Sequence, residues 1–110
     1  MRFDKFTIKS QELIQDAHSR ASQHNHQQIE PVHLLAGMLD DPQGIVVSMV
    51  RKIGANPSEL QKDVSAAMEK LPRVEGAGEV YISSQCKKIL ESAFTTASNM
   101  KDQYVSIEHI

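Results

Sequence analysis

Tryptophan is absent from this chain of 110 residues, cysteine occurs once, and aromatic residues make up 5% of the sequence. The single Cys86 cannot close an intrachain disulfide, which excludes a disulfide-stapled scaffold. The N-terminal "MRFDKFT" lacks the apolar run of a secretory leader, and no apolar stretch approaches the roughly 20 residues that span a bilayer. Charge of one sign is also missing. The formal net charge is -2, and lysine and arginine are scattered rather than gathered in a stripe, which argues against nucleic-acid and membrane partners. The expected setting is soluble, reducing and cytoplasmic. What is present, 40% apolar and 24% charged residues, fits one small globular domain over residues 1–110.

Apolar spacing predicts helices along the chain. Leu13, Ile14, Ala17 and Ala21 recur at helical intervals behind Thr7, a suitable N-cap. In "IEPVHLLAGMLDDPQG", Pro31 suits the first turn of a second helix, and the run from Asp41 to Gly44 stops it. Val46, Met49, Val50 and Ile53 form the expected stripe of a short third helix closed by Gly54. "NPSEL" starts a fourth with Asn56 as cap and Pro57 at its first position, leading into Leu60, Val64, Met68 and Leu71. Pro72 and "RVEGAGE" interrupt the pattern. A fifth helix from Ser83 or Ser84 carries Cys86, Ile89, Leu90, Ala93, Ala97 and Met100 inward, and a sixth starts near Ser106. "EVYIS" is the one short strand candidate, so the fold class is all-α.

The chain repeats itself. An offset of 76 residues places His33 on His109 and, without gaps, Leu13 on Ile89, Ile14 on Leu90, Ala17 on Ala93, Ala21 on Ala97, Ile29 on Val105 and Leu34 on Ile110. The expected architecture is a pseudo-twofold bundle of two helical repeats. Repeat one covers about 5–71, a linker about 72–82, and repeat two about 83–110, incomplete at its end.

"RFDKFTIKSQELI", "IEPVHLLAGML", "LPRVEG" and "VSIEHI", in that order, resemble the N-terminal domain of the Clp family of AAA+ unfoldases, and within it the ClpB disaggregase branch. In that family the second repeat continues into two more helices, so the second repeat here reads as truncated. Its loss of cover would expose apolar surface around Leu90, Ala97 and Ile107. The resemblance implies a stress-response chaperone domain that engages unfolded or aggregated polypeptide and passes it to a homohexameric ring. It also implies a motor elsewhere that uses ATP and Mg, and a co-chaperone system of the Hsp70 type. Docking of an adaptor, as in Clp protease chaperones, is the alternative.

Catalytic chemistry finds no constellation. "EGAGEVY" lacks the lysine and hydroxyl of a phosphate-binding loop, so no cofactor is expected in this domain, and no enzyme activity. His18, His24 and His26 lack partners at zinc-site spacing and are read as cationic or hydrogen-bonding histidines near a helix C-terminus, without a metal. His33 and His109 read as packed structural residues, and Cys86 as a small core residue. The resemblance carries Thr7, Asp102 and Glu108 over as polar positions for substrate contact. Thr7 as an N-cap and Glu108 as a helix-start charge are the competing structural readings, and both roles can coexist. Leu90 and Phe94 are candidate apolar contacts, Phe94 because its counterpart in repeat one is the polar His18. A core position for Phe94 is the competing reading, and Ser92 and Thr96 make the neighbouring face less apolar.

Overall fold

The computed structural model describes residues 2–76 and 78–110. Among them are five α-helices: α1 (Ile8–Gln23), α2 (Pro31–Leu39), α3 (Ile45–Lys52), α4 (Pro57–Glu69) and α5 (Ser84–Asn99). Two strands, β1 (Gln28–Ile29) and β2 (Tyr81–Ile82), pair in parallel, and short 3-10 helices cover Phe3–Lys5 and Ile107–His109. The all-α expectation holds, with a two-residue ladder added.

Local chemistry explains the helix boundaries. The Thr7 and Ser83 hydroxyls accept the backbone N–H of Ser10 and Cys86, and the Asn56 side chain accepts those of Ser58 and Glu59. Pro31 and Pro57 open α2 and α4, where a missing N–H costs nothing. Gly54 takes φ +86° just past α3, a left-handed position that glycine occupies without a Cβ clash.

Two apolar clusters hold these elements. Leu13, Ala17 and Ala21 of α1 meet Leu34 of α2, and the same core continues through Phe6, Ile29, Cys86, Leu90, Ala93, Ala97 and Val105. The other cluster joins Leu39, Val47, Val50, Val64 and Met68 across α2, α3 and α4. Helices α1 and α2 approach closely at Gly37, where a Cβ would stand 2.6 Å from Asp16 Oδ2 and 2.8 Å from Leu13 Cδ1. Arg20 reinforces that contact, with Nε 2.6 Å from Asp16 and a terminal nitrogen 3.0 Å from Asp40.

Three expectations are corrected. The inward residues of α3 are Val47 and Val50, while Met49 and Ile53 are exposed. Only that face of so short a helix meets Leu39 and α4, and Ile53 is already the C-cap. Met100, the C-cap of α5, is likewise exposed rather than inward. Finally, Leu90 is 0% exposed and Ala97 is buried, so the surface around them is closed, whereas half-buried Ile107 borders a pocket of about 190 Å³ with Leu13, Met38 and Val46.

Candidate functional site

The repeats meet through backbone pairing that obeys the same 76-residue offset. Ile29 pairs with Ile82, and Phe6 with Val105, both in parallel. The offset converts Phe6 into Ile82 and Ile29 into Val105, so a local twofold axis exchanges the two bridges. The Thr7 N–H donates to the Val105 carbonyl (2.9 Å), and its counterpart Ser83 donates to the Ile29 carbonyl (3.1 Å). Asn25 and Lys101 share a left-handed backbone, at φ 58° and 61°. His33 and His109, both buried, each accept through Nδ1 an N–H from three residues upstream, Glu30 at 2.8 Å and Ser106 at 2.9 Å.

Against that symmetry, the differences between repeats stand out. In repeat two, Phe94 is half-buried and turns its ring edge onto Phe6, with centroids 5.1 Å apart and planes at 71°. Its counterpart His18 is exposed and leaves the corresponding space beside Ile82 open. A groove of about 370 Å³ results, walled by Phe3, Ile14, Ile29, Val80 and Ile82, with Gln11, Gln15 and His18 along its polar side. The Gln11 amide donates to the Phe3 and Phe6 carbonyls (3.2 and 3.0 Å), which ties the N-terminal turn to this rim. An apolar floor with adaptable polar groups at its edge suits a short apolar anchor from a peptide.

The polar residues carried over from the resemblance gather around the Phe6–Val105 bridge. Thr7 Oγ1 accepts the Ser10 N–H at 3.2 Å and donates to Ser10 Oγ at 2.9 Å. The Asp102 carboxylate accepts His109 Nε2–H at 2.9 Å and stays 45% exposed. Glu108 accepts a hydrogen bond from the Ser106 hydroxyl and is exposed. Asp102 and Glu108 therefore offer carboxylate oxygens to solvent, whereas the Thr7 hydroxyl is engaged in capping. Leu90 is corrected as a contact residue: packed in the core at 0% exposure, it reaches no ligand. Phe94 is more core than contact, because Phe6 covers it, and the open place lies at His18 in the other repeat.

The remaining reactive side chains are accounted for internally. Burial, with Glu30 nearby, pushes the Cys86 thiol up to about 11, so it is no nucleophile at neutral pH. His24 Nδ1–H donates to the Arg20 carbonyl at 2.8 Å, a helix-end role. His26, expected as a histidine near a helix C-terminus, is buried, with its ring packed on His33. Among the described residues no group of three histidine, cysteine or carboxylate side chains could hold a metal, and no helix is long and apolar enough to cross a membrane. Sequence reasoning missed the groove walls Val80 and Ile82 because both lie in the stretch read as linker. The signal that could have found them is the offset itself, which places Ile82 on Phe6.

Residues 5–110 match the family described as the Clp repeat (R) N-terminal domain. The chaperone protein ClpB of Porphyromonas gingivalis is 40% identical over 110 residues, which is 100% of this chain and 13% of that protein. The chain thus spans a small part of the curated relatives it matches. Among solved structures, the Hsp104 N-terminal domain from Candida albicans superposes with a TM-score of 0.88 at 24% identity, covering 96% of this chain and 69% of that one. A structure described with the ATPase ClpV, the TssB-TssC sheath and the accessory HsiE protein gives 0.86 at 25% identity, covering 97% and 66%.

Proposed function

The chain belongs to the Clp repeat N-terminal domain family, and from that premise we propose that it is the client-binding domain of an ATP-dependent protein disaggregase. It captures unfolded or aggregated polypeptide for hand-over to a AAA+ ring and does no chemistry of its own. The groove carries this reading: its apolar walls are open where repeat two closes the equivalent place with Phe94. An apolar side chain of a client seats between Ile14 and Ile82, and the exposed Asp102 and Glu108 attract basic or N–H-rich backbone segments nearby. Such a site gives weak, broad affinity, useful mainly because a tether to a hexameric motor raises the local client concentration. ATP and Mg belong to that motor, and a co-chaperone system of the Hsp70 type is its expected partner in the cytoplasm.

Docking of a folded adaptor is the second reading, favoured by the likeness to the structure described with ClpV and the accessory HsiE protein. A chemical-shift titration separates the two. With a permanently unfolded protein, client binding moves Ile14, His18 and Ile82, and secondarily Asp102 and Glu108. Silence with the unfolded chain and saturable shifts with a folded adaptor overturn the client reading.

A further inference from the structure

The offset that relates the repeats also superposes two side-chain contacts of different chemistry, one buried and one partly exposed. His26 Nδ1 lies 2.8 Å from His33 Nε2, and the equivalent pair in repeat two is Asp102 Oδ2 and His109 Nε2 at 2.9 Å. Backbone hydrogen bonds set the tautomers. Glu30 N–H donates to His33 Nδ1, so the His33 proton sits on Nε2 and is donated to His26 Nδ1. The proton of neutral His26 is then on Nε2, a buried atom without a hydrogen-bond partner. Neither ring can take a second proton in place. On His33 it would face the Glu30 N–H, and on His26 it would face the His33 N–H across 2.8 Å. In repeat two the partner of His109 Nε2 is instead a half-exposed carboxylate, which accepts the imidazole N–H without a second ring behind it.

We propose that the His26–His33 contact is an acid-released latch confined to repeat one, which fastens the turn after α1 to the first turn of α2 and through that turn holds the segment after α4, with Asp102–His109 as the counterpart that lacks a second imidazole. His26 borders a cavity of about 220 Å³ with Leu71, Pro72 and Val74, and the Val74 N–H donates to the Asn25 carbonyl at 2.8 Å. The groups acting on His26 are His24, stacked at 5.5 Å, Arg73 and Glu69 from the end of α4 and the segment beyond it, and the Met68 carbonyl. Those acting on His33 are His26, Glu30 and His24. Glu69, the Met68 carbonyl and Glu30 favour a proton; burial, Arg73 and the neighbouring histidines oppose it. Both rings resist protonation, with His33 pushed down to about 4 chiefly by burial and secondly by His26.

Acidification from about pH 7 to about pH 4, followed by amide and imidazole NMR, tests the latch. The Glu30 and Val74 amides are expected to lose their hydrogen-bonded shifts while Thr7 and Val105 keep theirs. His26→Asp gives repeat one the chemistry of repeat two and moves the release at Val74 at least one pH unit lower. Equal loss in both repeats, or an unchanged pH profile in His26→Asp, overturns the proposal. Should that variant fail to fold, Asp102→His decides: acid lability newly appearing at the Ser106 amide supports the latch, and its absence refutes it.

Discussion

Replacing His18 with phenylalanine should make the domain more stable and a poorer binder at once. The new ring falls on the twofold counterpart of Phe94, over Ile14 and Ile82, and fills part of the 370 Å³ groove. Phenylalanine and histidine have similar helix propensity, so the backbone of α1 is indifferent to the exchange. Seating about half of a phenylalanine side chain removes about 80 Å² of apolar surface from water, worth about 2 kcal/mol. No edge-to-face gain is added, since Ile82 stands where Phe6 stands in repeat two. For a domain of this size the melting temperature should rise by about 5 °C or more in a circular-dichroism melt. Affinity for an unfolded client, read by fluorescence anisotropy, should fall about tenfold, the loss of one apolar anchor worth about 1.4 kcal/mol. A lower melting temperature would show that the groove is not the vacant copy of the Phe94 site. Unchanged affinity in a stabilised variant would show that clients bind elsewhere.

Other expectations test the frame around the groove. Leu90→Ala, at a core position with 0% exposure, should cost about 2–5 kcal/mol in urea unfolding; a loss under about 1 kcal/mol would contradict its placement. Gly37→Ala should change stability by less than about 1 kcal/mol, because the helix gain of alanine offsets the shift it forces on the side-chain ends of Asp16 and Leu13; a loss above about 2 kcal/mol would mean that those ends cannot yield. Lys101→Gly should stabilise by about 1 kcal/mol by relieving a left-handed non-glycine residue at φ 61°, and a loss would argue against that backbone. The pH dependence of stability has a definite sign. His33 is held neutral at a value lowered from 6.5 to about 4, so the unfolded chain takes the proton first. That contribution is complete above about pH 6.5, is lost as pH falls toward about 4, and amounts to about 3 kcal/mol; denaturant melts flat across this window would contradict it.

Helix starts were legible because capping chemistry is local. Thr7, Ser83, Asn56, Pro31 and Pro57 act within three residues of themselves, and all stand where their side chains suggest. The repeat was legible only where both copies kept the same character, as in Ala17 with Ala93 or His33 with His109. Phe6 with Ile82 and His26 with Asp102 follow the same offset, but they differ in size or chemistry and show their equivalence only through the bridges and ring contacts they make. The β1–β2 ladder is two residues long, too short for alternation to register, and its partners are far apart in sequence. Helix α3 was misread because its apolar residues cover more than one face, and only the packing of α4 decides which turns inward. The groove was illegible for a related reason: Phe94 marks the filled copy of the site, while the open copy is at His18, a residue whose polar side chain gives no sign of an apolar cavity beside it.

The most direct measurement of the central claim uses a short peptide with one phenylalanine and a spin label at its end, and reads line broadening across the domain. Strongest broadening at Ile14, His18, Val80 and Ile82, abolished by His18→Phe, is the expected result. Broadening that spares these residues, or that persists undiminished in His18→Phe, would contradict a client site built on the asymmetry of the two repeats.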